Sequence, residues 1–116
     1  MKDDDLCTYV FRSPNPAFNR NYTDFVKTLR GWIHDEIDTV ICGDFNFDFW
    51  RDEKNPMSIT LKSAGFNQLV KESTTIHGAC LDHLYVRLKN LCARYQLHYP
   101  YYSDHEAVCF MLKKKL

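Results

Sequence analysis

The sequence lacks a net charge, because fifteen Lys and Arg are balanced by fifteen Asp and Glu. Overall charge therefore advertises no polyanionic partner, although an enzyme that neutralises phosphate with a metal ion needs no basic surface on average. The sequence also lacks any apolar run near the ~18 residues that a membrane-spanning helix requires. Its acidic start, Met1 to Asp5, has neither the basic nor the apolar region of a signal peptide. From these absences we expect a soluble, intracellular chain with no membrane partner, and they leave nucleus and cytoplasm undistinguished. No internal repeat, low-complexity tract or linker interrupts it. The five cysteines (Cys7, Cys42, Cys80, Cys92, Cys109) contain no CxxC pair, and an odd count argues against a closed disulfide framework. Buried free thiols on strands are the expectation, with a zinc site on two cysteines plus His77 or His83 as the alternative.

What is present is the composition of a packed chain: 45% hydrophobic and 15% aromatic residues in 116 positions, which bounds the protein at one domain or part of one. Cys7 to Phe11 alternates apolar and polar residues and runs into Ser13-Pro14-Asn15-Pro16, a strand followed by a turn. Tyr22, Phe25, Val26, Leu29, Trp32 and Ile33 recur at helical spacing behind a cap at Asn21 or Thr23. Thr39 to Cys42 is a β-favouring run without polar alternation, as in a strand covered on both faces. Asn55-Pro56 predicts a capped helix ended by Gly65, with Ile59, Leu61 and Ala64 packed inward. Strands are expected over 66–70, 81–88, 92–99 and 107–112, with breaks at 74–78 and 102–105. His34, His77 and His98 read as surface or loop residues. Phe45, Phe47, Phe49 and Trp50 read as packing, and Lys113-Lys114-Lys115 as a solvated tail.

Three polar motifs fall at strand ends: Gly43-Asp44-Phe45-Asn46, Leu81-Asp82-His83 and Ser103-Asp104-His105. Each sets an acid beside Asn or His. Carboxylates can hold a hard cation or activate water, an Asn amide can bind a phosphoryl oxygen, and His can serve as general acid. Alone, each motif is more often a turn former or a surface contact. In this order on a short chain they make the parts of a phosphodiester hydrolase.

With Phe11-Arg12-Ser13-Pro14-Asn15 ahead of them, these motifs resemble the hallmarks of the endonuclease/exonuclease/phosphatase family, over nearly the whole chain. The stretches 65–70 and 74–78 resemble endonuclease domains of non-LTR retroelements. Inositol-phosphate phosphatases of the same family carry Cys-Asp-Arg where Leu81-Asp82-His83 stands, so nucleic acid, DNA in particular, is the expected substrate. The resemblance implies an α/β (α+β) fold that is part of a four-layered α/β/β/α sandwich, with one mixed sheet and its flanking helices. It further implies that residues 1–116 form the C-terminal half of the domain, leaving the inner face of the sheet without a partner.

By resemblance, Asp44 polarises the attacking water and Asn46 holds the phosphoryl group. His105 stabilises or protonates at the scissile phosphate and Asp82 orients it. Asp104 bears on Mg²⁺ (or Mn²⁺), and Arg12 and Asn15 contact substrate phosphate. His83 is expected to be structural. Phe11 departs from the family pattern, which commonly has a phosphate-contacting tyrosine there. An Asn and a Glu metal ligand precede the equivalent of Phe11 in family members, so the resemblance predicts a domain that is weak or inactive alone. It would pair with an N-terminal half or a second chain. A catalytically dead interaction module or retroelement remnant, and a phosphatase, are the alternatives.

Overall fold

A computed structural model describes residues 6–12 (backbone path), 27, 31, 37–45, 47–52, 54–98 and 105–115. Strands β1 (Leu6–Arg12), β2 (Asp38–Asp44), β3 (Asn67–Gln68) and β4 (Asp82–Arg87) form one mixed sheet in the order β1-β2-β4-β3. β1 runs parallel to β2, whereas β4 is antiparallel to both β2 and β3. β5 (Leu91–His98) and β6 (Ala107–Lys114) form a separate antiparallel ribbon, and α1 (Pro56–Ser63) lies between β2 and β3 in the chain. Of the helix expected from Tyr22, Lys27 and Gly31 are described, and both are helical.

β2 is buried on both faces, as its unbroken apolar run requires. On one face Ile41, Tyr85 and Phe45 pack with Met57, Leu61 and Phe66. On the other, Val40, Leu84 and Val86 pack with Tyr95, Leu97, Val108, Phe110 and Leu112 of the ribbon. The sheet is thus sandwiched between α1 and β5–β6, so the face expected to lack a partner has one. Four layers are not seen among the described residues.

α1 begins where Asn55 Oδ1 accepts from Met57 N at 3.0 Å, with Pro56 following. It ends in a Schellman motif: Phe66 N donates to Leu61 O, Gly65 N donates to Lys62 O, and Gly65 takes a φ of 89°. Met57, Leu61 and Ala64 form the inward stripe at i, i+4 and i+7. Ile59 was expected inside, yet it sits two residues from Met57 and Leu61, on the opposite side of the helix, and is half exposed. The expected strand 66–70 shrinks to Asn67–Gln68, because the buried Gln68 amide donates to Val70 O and accepts from Val70 N and Leu84 N, replacing further ladder bonds. Asp38, also buried, accepts from the backbone N–H groups of Lys89, Asn90 and Leu91 and so closes the turn from β4 to β5. Lys113 and Lys114 belong to β6, and Lys115 N donates to Asn90 O, so this segment is strand rather than tail. Cys80 is buried and free as expected, but the free thiols of Cys92 and Cys109 are exposed on the outer side of the ribbon.

Candidate active site

Strand register builds the site. Arg12 of β1 pairs in register with Asp44 of β2, and Asp44 pairs across the antiparallel ladder with Asp82 of β4, so three chemistry-bearing positions form a row at one end of the sheet. Side chains alternate along a strand. Asp82 therefore shares a face with Leu84 and Val86, the ribbon side, whereas His83 points with Tyr85 to the α1 side. Only the first of the two can meet His105, which lies just ahead of β6.

It does so at 2.9 Å, where His105 Nδ1–H donates to Asp82 Oδ2. The side chains are 30% and 16% exposed, accessible yet partly desolvated. The segment 74–79 holds both partners. Thr74 is fully buried, and its Oγ1 accepts from Leu81 N at 3.0 Å and Asp82 N at 3.1 Å. Glu106 N donates to Thr74 O at 2.7 Å, and Thr75 forms a β-bridge with His105. One residue thereby ties the base of Asp82 to the segment carrying His105. Sequence reasoning treated 74–78 as a break; a buried threonine beside a turn gave no signal of this role.

His83 is structural. It is fully buried, with Nε2–H donating to Cys80 O at 2.8 Å and Nδ1 accepting from the Tyr85 hydroxyl at 3.0 Å. Phe45 stacks on its ring at 5.0 Å, and Phe47 and Phe49 meet it edge-on. Burial in this aromatic cage pushes the imidazole pKa down to about 4, so it stays neutral. The loop after Asp44 is thus folded around one histidine. Its return is fixed by Phe45 N to Leu81 O, by Phe49 N to Cys80 O, and by Asp48 Oδ1, which accepts from Cys80 N and Trp50 N. Burial of Phe45 and Phe47 bears out packing over base stacking, while Trp50 is exposed. Desolvation and the nearby Asp48 and Asp82 charges raise the Cys80 thiol to about 12, which leaves it inert.

Asp44, Asp82 and His105 each bring a ligand atom within 4.8 Å of the other two, the one such group among the described residues. The zinc alternative on cysteine thus has no counterpart there. The Asp82 carboxyl is held above its ordinary range, first by burial and also by the Asp44 charge, while the bonds from His105 and Thr74 oppose this. Two carboxylates facing each other across a ladder are destabilised by mutual repulsion, which a hard cation on oxygen ligands relieves, so the donor set suits a hard divalent cation. Because Asp82 Oδ2 already serves His105, Asp44 and the second Asp82 oxygen are the atoms that would hold it. Asn46, Asp104, Asn15 and the Arg12 side chain lie outside the described residues.

The Endonuclease/Exonuclease/phosphatase family model matches residues 6–105. Among solved structures, the chain is similar to CdtB, the biologically active subunit of cytolethal distending toxin. The TM-score is 0.52 at 18% identity, over 96% of this chain and 49% of that one. The chain thus spans about half the length of that neighbour, and the likeness shows a shared fold. No curated protein matches it in sequence.

Proposed function

We propose, because the chain belongs to the endonuclease/exonuclease/phosphatase family, that it carries a cation-assisted phosphodiester hydrolase site acting on DNA. The observation that supports this best is the Asp82–His105 pair set beside Asp44 at the mouth of β2. Asp44 takes the proton of a water as that water's oxygen bonds to phosphorus, and the bond from phosphorus to the leaving oxygen breaks. His105, with Nδ1 committed to Asp82, is left with Nε2 as the nitrogen that meets the phosphate. There it stabilises the growing charge or gives the leaving oxygen its proton. A divalent cation on Asp44 and Asp82 supplies Lewis-acid stabilisation of the phosphoryl oxygens when bound. Asn46 and Asp104 complete the phosphoryl and cation contacts in this reading, and Arg12 and Asn15 the backbone phosphates. Leu81-Asp82-His83, standing where inositol-phosphate phosphatases of the family carry Cys-Asp-Arg, favours nucleic acid over a small phosphate ester.

Supercoiled plasmid tests the reading. The chain alone is expected to nick it weakly or not at all in Mg²⁺, and the chain fused to an N-terminal family half to nick it readily, with EDTA stopping the reaction and Asp44→Asn in the fusion slowing it by ~100-fold or more. Nicking of equal rate in the Asp44→Asn fusion would dismiss Asp44 as the activating carboxylate. No nicking by the fusion would dismiss the hydrolase reading.

A further inference from the structure

We infer that the far end of the β5–β6 ribbon is a second DNA contact, an electrostatic cradle for the phosphate backbone; the inference rests on the hydrolase reading above. Arg94, Lys113, Lys114 and Lys115, together with Cys92, line an open groove of about 670 Å³. All four cations are exposed, no carboxylate lines the groove, and among the described residues none of the four carries an ion pair. In a chain of zero net charge, four cations in one groove are a local concentration. The order of the segment is the second half of the argument. Cys92 pairs with Lys113 and Leu91 with Lys114 across the ladder, and Lys115 N is bonded to Asn90 O, so the cations are carried on fixed backbone. A rigid array loses less entropy on meeting phosphate than a flexible lysine tail does.

Position favours a duplex. β6 starts at Ala107, two residues beyond His105, and Lys113 lies eight residues beyond His105, roughly 26 Å along at the usual strand rise. That separation matches about eight base pairs at ~3.4 Å each. A duplex with one phosphate at His105 can therefore lay backbone over the ribbon's outer side, where Arg94 and Lys113 stand. Contacts of this kind position without reading sequence.

The test measures anisotropy of a labelled 20-base-pair duplex against salt, alongside hydrolysis of bis(4-nitrophenyl) phosphate. The full chain is compared with Arg94→Ser/Lys113→Ser/Lys114→Ser and with Lys62→Ser/Lys71→Ser, which removes charge from the α1 side. The ribbon variant is expected to bind at least ~10-fold more weakly, with its log–log salt slope smaller by about 2 to 3, while the α1-side variant and small-ester hydrolysis stay at wild-type level. Arg94→Lys, which keeps the charge, should restore most of the binding lost in Arg94→Ser. Equal binding and slope in the ribbon variant would overturn the inference while leaving the hydrolase reading intact. So would tighter binding of the chain to vesicles with 20% phosphatidylserine than to the duplex. Ribbon-dependent duplex binding with no ester hydrolysis even by the chain fused to an N-terminal family half would uphold the cradle and count against the hydrolase.

Discussion

Asp82 Oδ2 accepts the Nδ1–H of His105 at 2.9 Å, while its neighbour His83 is turned to the other side of the sheet and buried against Phe45. The two histidines therefore have separate settings, one in the cluster with Asp44 and Asp82 and one holding the loop.

Asp82→Asn separates stability from catalysis. The folded-state pKa of Asp82 is raised, so the folded chain binds this proton more readily than the unfolded one, and stability falls as pH rises from about 3.8 through the raised value. At pH 7 the carboxylate is thus a stability cost. Asn removes it, so Asp82→Asn should raise the urea midpoint while lowering turnover ~10- to 100-fold. The ¹⁵N spectrum of His105 should show a loss of the Nδ1–H tautomer. A lower midpoint with unchanged turnover would contradict this.

Thr74→Val keeps the volume but removes the oxygen that Leu81 N and Asp82 N share. Leaving buried N–H groups without an acceptor should cost about 1–3 kcal/mol and loosen the Asp82–His105 pair. Thr74→Ser should recover both. Denaturant melts with the His105 spectrum check this, and a Val variant with wild-type stability would refute the role.

How much of this could be read in advance differs by element. The polar motifs at 43–46 and 81–83 were legible because strand ends and acid-containing turns are local features. The convergence of Asp44 with Asp82 was expected because both lie at strand ends, but the ladder pairing that sets them opposite each other is a matter of register, which a single sequence does not display. Period-2 alternation does assign Asp82 and His83 to opposite faces, but which face meets His105 depends on the ribbon's packing, a long-range contact. Ile59 misled because hydrophobicity alone does not phase a short helix. Thr74 and Asp38 were missed for a common reason: their partners are backbone N–H groups whose approach is set by tertiary folding.

His83 makes the fold acid-sensitive. Its pKa falls from 6.5 unfolded to about 4 folded, so its contribution is complete above about pH 6.5 and is lost as pH falls toward 4. The loss should reach about 3 kcal/mol over that window. His83→Phe, which keeps an aromatic ring beside Phe45, should lower stability at pH 7 yet flatten this dependence. Urea midpoints at pH 7 and pH 4.5 decide it; an equal drop in both proteins would assign the acid lability elsewhere.

The central claim is that Asp44, Asp82 and His105 are one cation-assisted site, and Mn²⁺ titration followed by NMR of the isotopically labelled chain tests it without requiring turnover. Broadening should begin at Asp44, Asp82 and His105 and disappear from all three in Asp44→Asn, while Asp48 and Asp52 on the neighbouring loop respond later. Broadening centred on Asp48 and Asp52, or unchanged at His105 when Asp44 is replaced, would contradict the account.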